Sequence, residues 1–239
     1  MPDPRDRLIV ALDFPDSANA LKMVQKLSGT VTTYKVGKQL FTAAGPELVR
    51  KLVSDKYQVF LDLKFHDIPN TVGAAVRAAA ELGVSMLTVH ASGGAKMLQA
   101  AVEAAASTPR PPLILAVTVL TSLSDSDLAE IGMGGQVRGQ VLRLAALARN
   151  AGCGGIVASA QEAKELRQEL GSGFAIVTPG VRLAGEDQGD QVRVVTPVQA
   201  MAAGASHIVV GRPITRAVEP AEAAKLILQE MQWPVVSGQ

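Results

Sequence analysis

The sequence predicts an α/β fold, a single (β/α)8 TIM barrel with its active site at the C-terminal ends of the strands. Three observations lead there. A short β-branched or aliphatic run that ends in a polar residue or glycine, then a helical stretch, recurs eight times. The 239 residues divide into about 30 per repeat, the size of one βα unit. Aromatic residues make up only 3% of a chain that is 48% hydrophobic, and such an aliphatic core suits helices on a buried parallel sheet better than an antiparallel sandwich. A doubly wound open sheet shares the alternation, but its G-x-G-x-x-G first turn is missing: the first strand ends in Asp13-Phe14-Pro15-Asp16. No linker or composition break divides the chain, so one domain is expected over 1–239, with a core of about 8–231 and a tail at 232–239.

The eight expected strands are Leu8–Asp13, Thr33–Gly37, Gln58–Lys64, Val84–His90, Leu113–Val119, Gly155–Ser159, Phe174–Gly180 and His207–Gly211. Between them, Asp16 or Ser17 can cap a helix whose apolar stripe is Ala20, Leu21, Val24 and Leu27, with Gly29 at its end. Pro46, after Gly45, opens a second helix. Gly83, Gly152, Gly171 and Gly204 stand where helices stop and strands begin. Ser124 to Ile131 reads as a short extra helix, and Gln136 to Ala151 as the crossover after the fifth strand.

Charge and cysteine count exclude several function classes. With 23 basic against 22 acidic residues the net charge is +1, which gives no bulk attraction to nucleic acid or an anionic membrane. One cysteine, Cys153, allows neither an internal disulfide nor a zinc-thiolate cluster, and reads as a small buried residue. Met1 to Arg7 is polar, unlike a signal peptide, and no apolar run reaches the ~18 residues of a membrane span. The expected location is the cytoplasm. Any anion must be held by a local site.

Polar residues gather at the expected strand ends: Asp13, Lys35, Asp62 with Lys64, His90, Thr118, Ser159, Thr178 and Arg212. Charges late in an apolar strand are costly unless paired. The densest cluster is DLKFHDIPNT, Asp62 to Thr71. Asp62 and Lys64, two apart, point to one side of a strand. Asp67 follows in a loop stiffened by Pro69, and Lys35 ends the neighbouring strand. Opposite charges packed together favour each other's charged forms, so a lysine held this way is a proton donor rather than a nucleophile. The bland alternative is an ion-pair network that only closes the barrel mouth. A second cluster lies on the last two strands, TPGVR at 178–182 and Gly211-Arg212-Pro213. The loops after these strands often bind phosphate through glycine amides, a helix N-terminus and arginine forks. The intervening LAGEDQGD, 183–190, has the polar, glycine-containing composition of a lid.

On ALDFPD, YKVG, DLKFHDIPNT, LTVHASGG, TPGVR, GDQVRVVTP and VVGRPIT, the chain resembles the orotidine 5′-phosphate decarboxylases from Leu8 to about Thr215. The resemblance implies decarboxylation of orotidine 5′-monophosphate to UMP in pyrimidine biosynthesis, without cofactor or metal. It implies a charged array of Lys35, Asp62, Lys64 and Asp67, with Asp67 reaching the neighbouring subunit's site in a homodimer. Lys64 would protonate C6 as carbon dioxide leaves, Asp62 would face the departing carboxylate, and Lys35 would contact the ribose region. Asp13 would bind ribose, Thr71 would cross the dimer interface, and Thr121 with Ser122 would contact the base. Arg182, Gln191, Gly211 and Arg212 would hold the phosphate, with Gln191 on the closing lid.

Two alternatives differ in class. A sugar-phosphate barrel of the keto-gulonate-phosphate decarboxylase or hexulose-phosphate synthase type shares D-x-K-x-x-D but uses magnesium. It carries an acidic residue where this chain has Lys35, which repels a cation. Asp62, Asp67, His66 and His90 could be imagined around a metal, but the two histidines read as hydrogen-bonded structural residues, and His207 as core. An inactive phosphate-binding barrel is the other alternative, and it has no need of four clustered charges.

Overall fold

The computed structural model describes residues 3–182 and 195–232. Eight parallel strands close into a barrel in sequence order. They are β1 Leu8–Ala11, β2 Thr33–Gly37, β3 Gln58–Phe65, β4 Met86–His90, β5 Leu113–Val117, β6 Gly155–Val157, β7 Ala175–Thr178 and β8 His207–Val210. The ring closes where Leu8, Ile9 and Val10 pair with Ile208, Val209 and Val210. All eight expected strands are present, several trimmed by one or two residues at the ends where the chain turns into the loops that carry polar groups.

Alternation divides each strand between two cores. Ile9, Ala11, Phe60, Met86, Leu115, Val177 and Val209 fill the barrel interior. Their neighbours, among them Val10, Tyr34, Leu61, Leu87 and Ile208, pack outward under the helices. Phe60 is the one large ring of the inner layer, whereas β6 begins with glycine. A Cβ on Gly155 would stand 2.5 Å from the Ala175 carbonyl oxygen and 2.8 Å from Leu115 Cδ2, so no side chain fits there.

The surrounding helices are α1 Pro4–Arg7, α2 Ser17–Lys26, α3 Lys38–Ser54, α4 Pro69–Ala80, α5 Gly94–Ala106, α6 Asp125–Glu130, α7 Val137–Asn150, α8 Ala160–Leu170, α9 Pro197–Ala202, α10 Arg212–Thr215 and α11 Pro220–Gln232. Asp16 caps α2 by accepting the Asn19 N–H at 2.8 Å, and Ser124 opens α6 in a reciprocal capping box with Asp127. Gly83, Gly152, Gly171 and Gly204 all have φ between 77° and 98°, the left-handed turn expected after a helix.

Three features go beyond what the sequence predicts. The helix opened by Pro46 is preceded by another, from Lys38, and the two meet at Gly45, whose φ of 66° and ψ of −169° break the helical path. The first helix of the pair starts directly at the end of β2, so no loop separates Gly37 from it. Arg212 to Thr215, directly after β8, forms the short α10. Among the described residues only Lys56 and Lys64 combine a side chain with positive φ, at 71° and 52°. Lys56 lies in the turn entering β3 and Lys64 near that strand's end. The expected lid, 183–190, and the tail beyond 232 lie outside the described residues, as does Gln191. No helix among the described residues is long and apolar enough to cross a membrane.

Candidate active site

The C-terminal rim encloses a cleft of about 640 Å³, within the range of a small-molecule site. Asp13, Lys35, Asp62, Lys64, Thr121, Arg182, Gly211 and Arg212 all line it, together with Phe14, Phe60, Leu120 and Gly180. Eight of the twelve expected site residues therefore meet in one concavity. Their strands explain why. Ala11, Lys35 and Phe60 are successive register partners across β1, β2 and β3, so the residues just beyond them emerge side by side at the rim.

The charges form two pairs. Lys64 Nζ donates to both oxygens of Asp62, at 2.7 and 2.8 Å. Lys35 Nζ donates to Asp13 Oδ1 at 2.9 Å. The Asp62 side chain is 14% exposed and that of Asp13 63%. Expectation grouped Lys35 with Asp62 and Asp67; within one chain its carboxylate partner is Asp13. Gly37 makes room for that pair, since a Cβ there would come within 3.0 Å of Lys35 Nζ and 3.6 Å of Asp13 Oδ1. Sequence reasoning missed Gly37, although its position two residues after Lys35 on an inward-facing register is a readable signal.

Simple alternation does not account for the Asp62–Lys64 geometry. The β3–β4 register slips between Leu61 and Phe65, and within that irregular stretch Lys64 adopts its positive φ. For a residue with a Cβ such a conformation costs about 1–2 kcal/mol. It persists because the surroundings hold it, a situation that clusters at functional sites.

On the opposite side, Arg182 is buried at 8% exposure. Its Nη1 donates to the Val181 carbonyl at 3.1 Å, and its backbone N–H donates to Val195 O at 3.0 Å. Gly211 has φ −111° and ψ −102°. A Cβ there would meet Ala11 Cβ at 3.5 Å and Asp13 Oδ2 at 3.7 Å, ordinary contacts. Space around Gly211 is therefore open, but its ψ falls outside the regions that residues with a side chain ordinarily adopt, so the backbone itself favours glycine at that point on the rim.

Asp67 and Thr71 do not line this cleft; both are exposed, flanking Ile68, which is 66% exposed. Asp67 Oδ1 accepts the Ile68 N–H at 2.6 Å. Ser122 is likewise exposed and outside the lining, beside Thr121. Of three other polar strand-end residues, two bond to the scaffold instead. Thr118 Oγ1 donates to the Val157 carbonyl at 3.1 Å. Ser159 caps α8. Thr178 is fully buried beneath the rim.

His66 and His90 pack ring to ring, centroids 5.3 Å apart. The expected hydrogen bonds do not form among the described residues; the rings find each other instead. Burial, reinforced by His66, Lys64 and Lys38, pushes the His90 imidazole down to about 4, so it is neutral near pH 7. Burial also lowers His207 and raises the Cys153 thiol to about 12, which leaves that thiol inert at neutral pH. Among the described residues no three His, Cys, Asp or Glu side chains converge as metal ligands.

Chemically, the cleft offers a held ammonium at one wall, with a carboxylate fixed against it, and guanidinium groups across from them. This suits an anionic ligand that reacts at one end and is gripped at the other.

Comparison with known proteins agrees. Residues 6–227 match the family model described as orotidine 5′-phosphate decarboxylase / HUMPS family. The chain is 53% identical to an orotidine 5′-phosphate decarboxylase of Hydrogenovibrio crunogenus over 92% of each chain. It is 54% identical to that of Alkalilimnicola ehrlichii, over 94% of this chain and 96% of the relative. The crystal structure of orotidine 5′-phosphate decarboxylase from Lactobacillus acidophilus superposes with a TM-score of 0.86 at 41% identity, covering 95% of this chain and 99% of that one. On that match, which spans the barrel and its whole charged rim, the chain belongs to the orotidine 5′-phosphate decarboxylase / HUMPS family.

Proposed function

We propose that this chain decarboxylates orotidine 5′-monophosphate to UMP and carbon dioxide, as a carboxy-lyase of pyrimidine biosynthesis acting in the cytoplasm, with residues 1–239 working as one domain. The observation that carries the reading is the Lys64 ammonium, held by both oxygens of Asp62 at the wall of a cleft lined opposite by Arg182 and Arg212.

Breaking the bond between C6 and the carboxylate leaves its electron pair on C6, a vinyl carbanion with no adjacent electron sink. A fixed ammonium is the available stabiliser, because it needs no reorganisation as charge develops. Lys64 Nζ then gives its proton to C6, forming the C–H bond of UMP. Asp62 faces the substrate carboxylate, raises the energy of that anion before it leaves, and keeps Nζ in position. Lys35 and Asp13 meet the ribose, Thr121 with Ser122 meets the base, and Arg182, Arg212, Gly211 and Gln191 hold the phosphate. That remote grip supplies binding energy that orders the charged wall. The active unit is a homodimer. Asp67 and Thr71 are exposed and outside their own cleft, which suits residues that complete a neighbour's site.

Purified protein given orotidine 5′-monophosphate and a chelator should bleach the substrate's pyrimidine absorbance. No turnover, or turnover of a hexulose phosphate only with added magnesium, would overturn the reading. Mixing inactive Lys64→Ala with inactive Asp67→Ala should partly restore activity, because some mixed dimers contain one intact site. Confirmed subunit exchange with no recovered activity would remove Asp67 from the neighbour's site.

A further inference from the structure

The slip in β3 has a specific anchor. Leu61 pairs with Leu87 and Phe65 with Val89, so β3 advances four residues while β4 advances two. The residue of β4 inside that interval is Thr88, which is fully buried. Lys64, displaced from the regular ladder, donates its backbone N–H to Thr88 Oγ1 at 2.9 Å. The same oxygen lies 2.9 Å from Asp62 Oδ1, and both Asp62 oxygens accept from Lys64 Nζ.

The direction of each bond is forced. A hydroxyl has one proton and two lone pairs, and a carboxylate can only accept. Thr88 must therefore donate to Asp62, which leaves its lone pairs for the Lys64 N–H. The result is a closed ring: the Lys64 amide donates to Thr88, Thr88 to Asp62, and the Lys64 ammonium to Asp62. One hydroxyl thus fixes both ends of the lysine's path. It supplies the hydrogen bond that the ladder cannot give to a residue at φ 52°, and it orients the carboxylate that aims Nζ. Thr88 does not line the cleft, so it acts through Lys64 and Asp62.

We propose that Thr88 is a positioning residue for the decarboxylation: its hydroxyl locks the strained β3 turn so that the Lys64 ammonium points at the reacting carbon. This rests on the functional reading above. Without the hydroxyl, the partly buried Lys64 N–H loses its partner and the Asp62 carboxylate can rotate. The phosphate-gripping arginines across the cleft are unaffected. The effect falls on the chemical step and not on nucleotide binding.

The test compares two pairs of variants that differ chiefly in the hydroxyl: wild type against Thr88→Val, and Thr88→Ser against Thr88→Ala. Each is assayed for kcat on orotidine 5′-monophosphate, for UMP affinity by calorimetry, and for folding by thermal melt. Loss of the hydroxyl should lower kcat by about 10- to 100-fold within each pair, since small misplacements of a reacting group cost that much. UMP affinity should stay within about threefold, and Thr88→Ser should recover most of the rate. The proposal is overturned by a folded Thr88→Val with wild-type kcat, by a serine variant as slow as valine, or by affinity falling in step with kcat. It is also overturned if both hydroxyl-free variants fail to fold while Thr88→Ser does, because the hydroxyl then serves the fold. Wild-type protein that leaves the nucleotide intact instead refutes the functional reading, and is distinguished by that control alone.

Discussion

On the β3 side of the cleft, Lys64 grips both oxygens of a carboxylate two residues away on its own strand. On the β1–β2 side, Lys35 reaches one oxygen of Asp13, 22 residues away in sequence. The first carboxylate is 14% exposed and braced from below by a buried hydroxyl; the second is 63% exposed. Ion pairs in water contribute little and exchange partners readily, whereas those shielded from it are stronger and depend on exact partnering. The two pairs look alike in composition and differ in exposure and bracing. Under the proposed function that difference has a use: a pair that meets a developing charge is best fixed before substrate arrives, and a pair that hydrogen-bonds sugar hydroxyls is better left open to water and to exchange.

The largest break in this comparison comes from the fixed wall. Lys64→Ala should lower kcat by at least about 10⁴-fold, since under the proposed function it removes both the proton donor and the charge that stabilises the carbanion. UMP binding, followed by calorimetry, should remain measurable. Parallel losses in both quantities would mean that the walls do not divide chemistry from binding. Next is the anion-binding side. Arg212→Ala should raise KM by about 10- to 100-fold, the loss of a charge-assisted contact to phosphate, with a smaller change in kcat. A drop in kcat at unchanged KM would assign Arg212 to the chemical step.

A smaller effect sharpens the account of the fixed wall through its neighbour His90. The imidazole titrates near 6.5 when unfolded and near 4 in the fold, where burial and then His66, Lys64 and Lys38 oppose its charge. Between those values the unfolded chain binds more protons, so stability is full above pH 6.5 and declines as pH falls to 4. Urea melts at pH 7 and pH 4.5 should show the loss. His90→Gln should remove about 1–2 kcal/mol of it, after allowance for solvent screening of a half-buried ring. An unchanged slope would show that His90 does not carry the titration.

Much of this organisation was legible in the sequence. Each strand announced itself as an aliphatic run, and the polar residues at the run's end fell on the rim because alternation and strand direction leave few other positions. Left-handed turns at Gly83, Gly152, Gly171 and Gly204 were readable because glycine tolerates what other residues resist. The β3 slip was not. The pattern DLK looks the same in a regular strand and in an irregular one, and the partner of the displaced Lys64 amide is a hydroxyl 24 residues further on. The partner of Lys35 was missed for a similar reason: Asp13 and Asp62 both lie within reach in sequence terms, and only the three-dimensional register selects between them. Thr118, Ser159 and Thr178 show the converse error. Their polarity at strand ends resembled chemistry, but backbone groups needed partners there too, and Thr118 and Ser159 supply them.

Lys56 and Lys64, the two ends of β3, share a backbone conformation and have opposite value to anyone engineering this protein. Lys56 is exposed in the turn entering the strand, and Lys56→Gly should be neutral or raise the melting temperature, because relief of about 1–2 kcal/mol of strain is set against a glycine's cost in chain entropy of about 0.5–1 kcal/mol. The same exchange at Lys64 would leave Asp62 without its cation and, under the proposed function, the reaction without its proton. A stabilisation campaign guided by backbone geometry alone would rank the two sites together. One is a surface to be optimised, and the other must be excluded from the library.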